Sequence, residues 1–233
     1  MEYKKEILET IVHDLKSPLT VLKGTMDFLT YDLEDNNICD TKCKSSMKIM
    51  KRATKDIEEM VDSILVTSLI ESDHAIVEPN NITNLTYLLR EYSKSFTYEA
   101  VSKDIKFKTY IQRNLPEVNI DFKRVKNHIL NNIITNAIKF TPKEGTIKLS
   151  AFEDIDSVVI AVEDSGPGIP QKERKNVFKK SNKLNTKSLR AVKSFGLGLY
   201  NAEYFTKLMD GEIYVTDSPF NGGASFVVKF PKI

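Results

Sequence analysis

Apolar residues over positions 3–33 recur at alternating spacings of four and three. Leu8, Val12, Leu15, Leu19, Leu22, Met26, Leu29 and Leu33 form a heptad seam, which predicts one long amphipathic helix built to pack lengthwise. Asp, Asn and Thr interrupt the pattern at 34–44. A second helix is predicted over about 45–71, with Met50, Ile57 and Ile64 seven apart and Ala53 and Met60 beside them. Two such helices make an antiparallel hairpin that leaves apolar surface uncovered. A second copy would cover it in a four-helix bundle, so a homodimer is expected.

The segment SDHAIVEPN (72–80) reads as a linker, because Pro79 discourages helix before it. It divides the chain into an expected hairpin domain, 1–75, and a second domain, 76–233. In the second, 83–101 and 121–140 read as helices, and so does 197–209. IKFKTYI (105–111) and TIKLSAF (146–152) alternate like strands, SVVIAV (157–162) is a short apolar run, and EIYV (212–215) and SFVVKF (225–230) are strand-like. Strands interspersed with helices predict an α/β sandwich, and the two domains together an α+β multidomain chain. The apolar spacing slips out of step near Lys126.

The 233 residues carry 41% hydrophobic and 28% charged side chains with a net charge of +2. That is an ordinary globular composition, with no global field directing the chain to nucleic acid. No apolar run reaches the roughly 18 residues a membrane span needs, so a cytosolic protein, or the cytosolic part of a membrane sensor, is expected. Cys39 and Cys43 stand in a polar stretch without a nearby His, which does not complete a zinc site.

Four segments carry candidate chemistry. In IVHDLKSPL (11–19), His13 follows the seam residue Val12 and projects sideways, as a phosphoryl acceptor must. Asp14 can take a proton from one ring nitrogen and leave the other as nucleophile. Pro18 removes the hydrogen bond to the Asp14 carbonyl and predicts a bend. Alone, His13 reads more readily as a surface histidine on a bundle than as an acceptor.

In NIITNAIKFT (132–141), Asn132 and Asn136 stack one turn apart, with Lys139 and Phe140 on the next turn of the same side. Amide oxygens can help hold Mg²⁺, Lys139 can meet phosphate, and Phe140 can pack along a nucleotide. In EDSGPGI (163–169), Asp164 at a strand end can accept from the exocyclic amine of adenine, while Gly166 and Gly168 let a ligand approach the backbone. Gly196, Leu197, Gly198 and Leu199 open a helix whose free N–H groups suit phosphate. Each segment also has a ligand-free reading, as a polar helix face or a tight turn. Residues 171–194 hold nine Lys or Arg against one acid, Glu173, and can close as a lid or stand as a solvated loop.

In this order the segments resemble the H, N, G1, F and G2 boxes of sensor histidine kinases of two-component systems, and the resemblance runs the length of the chain. It implies a dimerisation and phosphotransfer hairpin followed by a Bergerat-fold ATP-binding domain of the GHKL superfamily. It also implies ATP and Mg²⁺ as cofactors, with Asn136 the metal ligand and Asn132 in support. Asp164 is then the adenine selector, and Ile169 falls in the nucleotide-binding G1 segment. The γ-phosphoryl would pass to His13, with Asp14 as base, and then to an aspartate on a response regulator receiver domain. Ser17 stands where the family orients water for dephosphorylation. Departures are Val12, Ser181 in place of a second Phe after Phe178, and Ser194 and Phe195 before the G2 glycines. A nucleotide-binding scaffold without transfer, or an ATPase of the same superfamily, is the alternative. There is no GxxxxGK[ST] loop and no HRD with DFG, so P-loop and Ser/Thr kinase chemistry lack their residues.

Overall fold

A computed structural model describes residues 19–27, 29–31, 33, 41–72, 74–180, 197–220 and 222–233, with only the backbone at 41–44, 52 and 56. The calls on His13, Asp14, Ser17 and Gly196, and most of the lysine-rich segment, lie outside the described residues. The chain divides into two compact units, residues 1–75 and 76–233.

In the first unit the described residues of 19–33 are helical (α1, 19–27 and onward), and α2 spans Thr41–Glu71, starting four residues before the expected 45. Leu19, Val61 and Leu65 pack together, and Met26, Met47, Val66 and Ile70 are buried. The buried face of α2 thus runs through Met47, Thr54 and Val61, themselves seven apart. The other heptad seam, Met50, Ile57 and Ile64, stays 46%, 42% and 40% exposed, and Leu22 and Leu29 on α1 are exposed as well. Two parallel apolar seams on one helix mean that one hairpin partner cannot cover both. No helix among the described residues is long and apolar enough to cross a membrane.

The second unit is an α+β fold around a mixed five-stranded sheet. Its strands β2 (Lys106–Ile111), β4 (Thr146–Glu153), β5 (Ser157–Asp164), β6 (Glu212–Asp217) and β7 (Ala224–Pro231) lie in the order β2-β4-β5-β7-β6. Only β2 and β4 run parallel. β5, the apolar run of the sequence, is central and buried at all eight positions. It extends two residues past the expected end, so Asp164 is its last residue. β1 (Asn80–Ile82) and β3 (Val118–Ile120) form a small antiparallel pair that the sequence pattern does not announce.

Helices α3 (Leu85–Val101), α5 (Asn131–Phe140) and α6 (Gly198–Leu208) pack against the sheet. The predicted helix 121–140 is corrected in one respect: α4 (Phe122–Arg124) passes through a π-helical segment, Val125–Leu130, before α5. Burial recurs here every fourth residue, at Val125, Ile129, Ile133, Ala137 and Thr141. A straight α-helix drifts about 40° at each such step, and one wide π turn takes up part of that drift. This is the slip seen in the sequence near Lys126.

Candidate functional site

Three glycines bring the candidate segments together. A Cβ at Gly223 would sit 1.8 Å from the Asp164 carbonyl oxygen, so the chain enters β7 against the end of β5 only because none is there. Gly168 adopts φ +65°, and a Cβ there would meet the Gly222 carbonyl at 2.2 Å. A Cβ at Gly166 would lie 2.8 Å from Asp164 Oδ1 and 3.1 Å from the Phe140 carbonyl oxygen. The turn after β5 therefore closes tightly over the end of α5. Ser165 pins that turn: its amide donates to the Thr146 carbonyl (3.0 Å), and its Oγ accepts from the Thr146 N–H (2.8 Å).

This closure makes a cavity lined by Asn136, Phe140, Asp164, Gly168, Ile169 and Leu199, with Ala137, Pro167, Val177, Ala224 and Phe226 completing the wall. The sequence reading reached the first six. It missed the wall residues, of which Ala224 was signalled by the glycine pair before it and Phe226 by its place in a strand. Phe178 is buried and meets Phe226 edge to face at 6.3 Å.

Asp164 is 5% exposed at the cavity wall. Its Oδ1 accepts from the amides of Gly166 (2.8 Å) and Ala224 (3.3 Å), and among the described residues these bonds leave Oδ2 to a ligand. Burial raises its carboxyl above the usual aspartate range, and the two amide donors oppose that rise.

Asn136 lines the cavity, whereas Asn132 does not. The Asn132 amide group donates to the His128 carbonyl (2.6 Å), and its Oδ1 faces Gly198 at the start of α6. Leu197, Gly198 and Leu199 thus form the opening of α6, with Leu199 in the wall. The first amides of any helix lack partners within it, so this end is a place for anionic oxygen. Lys139 turns instead along the Phe140 ring, 5.9 Å from its centre. Arg174 supports the far side: its Nε donates to the Ile169 carbonyl (3.2 Å), and its Nη2 to Asp217 Oδ1.

These features can receive a flat, partly apolar base with one amine donor at Asp164, and an anionic chain toward α6. Asn136 supplies a neutral oxygen of the kind a hard divalent cation takes. Asn132 Oδ1, whose amide nitrogen is committed to the His128 carbonyl, stands outside the cavity wall at the opening of α6, so Asn136 is the oxygen donor that the cavity itself presents.

The comparisons agree with the geometry. Residues 122–233 match the model of the histidine kinase-, DNA gyrase B-, and HSP90-like ATPase family. The chain is 28% identical over 229 residues to the sensor histidine kinase TmoS of Ectopseudomonas mendocina, covering 98% of this chain and 23% of that one. It is 28% identical over 241 residues to the adaptive-response sensory kinase SasA of Gloeothece citriformis, covering 99% and 58%. The chain thus spans about a quarter to three fifths of the length of these curated relatives. Among solved structures it is similar to full-length ShkA in complex with AMPPNP, with a TM-score of 0.72 and 22% identity, covering 98% of this chain and 46% of that one. The catalytic domain of the histidine kinase ThkA aligns with a TM-score of 0.57 and 26% identity, covering 66% and 98%. Residues 122–233 thus match the histidine kinase-, DNA gyrase B-, and HSP90-like ATPase family, and along nearly its whole length the chain is similar to sensor histidine kinases.

Proposed function

We propose that ATP binds in the cavity of residues 76–233 and that its γ-phosphoryl passes to a ring nitrogen of His13. The carrying observation is Asp164: a buried carboxylate, half satisfied by two backbone amides, at the wall of a cavity it shares with Asn136, Phe140 and Leu199. A buried carboxylate is costly unless its remaining oxygen finds a donor, and the adenine amine is that donor.

In this reading Phe140 and Ile169 pack on the base, and Gly166 and Gly168 let it approach the backbone. The opening of α6, Gly196 to Leu199, receives phosphate, and Lys139 adds positive charge. Asn136, with Asn132 in support, holds Mg²⁺, which neutralises charge on the phosphate oxygens when bound. Asp14 takes the proton from one His13 nitrogen while the other attacks phosphorus, and ADP leaves with the electrons of the broken bond. The phosphoryl group then passes to an aspartate on a response regulator receiver domain. Ser17 orients water in the reverse, dephosphorylating activity.

Residues 1–75 act as the phosphotransfer hairpin and dimerise into a four-helix bundle through the Met50, Ile57 and Ile64 seam, which one hairpin leaves exposed. The test is His13→Gln in the full chain. Labelling by γ-labelled ATP disappears while nucleotide binding persists; persistent labelling overturns the assignment.

A further inference from the structure

The π segment Val125–Leu130 is held from two sides. On one, the Tyr92 hydroxyl of α3 donates to the Lys126 carbonyl (2.8 Å), which also accepts the Asn131 amide five residues on. Lys126 Nζ lies over the Tyr92 ring, 5.9 Å from its centre. Burial raises the Tyr92 hydroxyl far above the usual tyrosine value, so it remains a donor throughout the neutral range. On the other side, the His128 ring stacks on buried Phe205 of α6 at 4.9 Å, with planes 22° apart. Arg124 Nη1 meets His128 Nε2 at 3.3 Å, and its guanidinium carbon lies 5.3 Å from the centre of the Phe205 ring. Because arginine only donates, Nε2 accepts and the ring proton sits on Nδ1.

The segment reaches the site through one residue. The His128 carbonyl takes the Asn132 amide group, which turns Asn132 Oδ1 toward Gly198 at the opening of α6. A wide turn is an uncommon, poorly propagating geometry that persists where its surroundings over-determine it. Here the surroundings are side chains of α3 and α6, and what they determine is the facing of Asn132 on α6.

We propose that Tyr92 and His128 are positioning residues that brace the π turn from opposite sides and thereby set Asn132 against the phosphate-facing end of α6. This rests on the nucleotide reading above. Neither residue touches the ligand; both act through Asn132.

The test titrates a fluorescent ATP analogue with Mg²⁺ into the full chain and its variants Tyr92→Phe, His128→Ala and His128→Gln. Each of the first two loses about one hydrogen bond or ring contact, so affinity falls about fivefold. The labelling rate at saturating ATP stays unchanged. His128→Gln keeps an acceptor for Arg124 and recovers most of the affinity. The double variant Tyr92→Phe/His128→Ala loses less than the sum, because both braces serve one turn. Where His128→Ala fails to fold by circular dichroism, Tyr92→Phe carries the test. Unchanged affinity in the variants, additive losses, or no recovery in His128→Gln overturns the proposal. A wild-type chain that binds no analogue overturns the functional reading itself, a result distinct from these.

Discussion

A Cβ placed on Gly198 would lie 2.5 Å from Asn132 Oδ1 and 2.9 Å from its Cγ. The glycine that opens α6 is therefore required by the asparagine of α5 that faces it, in addition to any demand from phosphate. Gly198→Ala is expected to destabilise the second unit by about 1–3 kcal/mol, the usual cost of overpacking. Thermal denaturation checks this. Adding Asn132→Ala restores the melting temperature and does not restore nucleotide affinity.

Asp164→Asn separates binding from stability. The amide keeps an oxygen for the Gly166 and Ala224 N–H groups but presents a donor where the base amine needs an acceptor. A hydrogen bond to a charged group is worth about 1.5–3 kcal/mol, so ATP affinity should fall about 10- to 100-fold. The melting temperature holds or rises, because a desolvated charge is gone. Calorimetric titration and a thermal scan together decide it.

The raised Asp164 carboxyl sets a pH dependence with a definite sign. Its folded-state value lies above the unfolded one, so the folded protein binds this proton more readily. Its contribution to stability is present at low pH and is lost as pH rises through the elevated value. Nucleotide affinity runs the other way, falling as pH drops through that value, because the ionised oxygen is the better acceptor. The fall begins at a higher pH than an exposed aspartate would give. Affinity measured across the acid range, with Asp164→Asn losing the dependence, checks both signs.

Ile57→Glu places a charge in the middle of the exposed seam of α2. If a second copy covers that seam, burying an unpaired carboxylate there costs several kcal/mol and shifts the chain to monomer. Sedimentation equilibrium reads the change, and the second unit's melting transition stays in place. A variant that sediments like the wild type refutes the seam as interface.

The elements and their order were legible along the chain because periodicity reports burial directly. The apolar run of β5 and the amphipathic α5 each announce a buried face, whereas on α2 the seam of Met50, Ile57 and Ile64 read from the sequence stays exposed and burial falls on Met47, Thr54 and Val61. The candidate site was legible for a related reason: Asp164, Gly166, Gly168 and Asn136 are local signatures of close backbone approach and hard oxygen donors. What stayed hidden depends on contacts between distant segments. β1 and β3 are three residues each and carry too short a pattern to register. The π turn showed only as a phase slip near Lys126, since spacing reveals a mismatch and not how the backbone absorbs it.

From the residue order alone came the division into a helical hairpin and an α/β unit, the seams of each helix and the roster of chemical groups. Tertiary structure alone decided that Asn132 turns to Gly198 while Asn136 faces the cavity, that Lys139 lies along Phe140, and that Ala224 donates to Asp164. Side-chain type and spacing define which contacts are available. Which one forms is a competition among neighbours brought together from far along the chain, and only their packing resolves it.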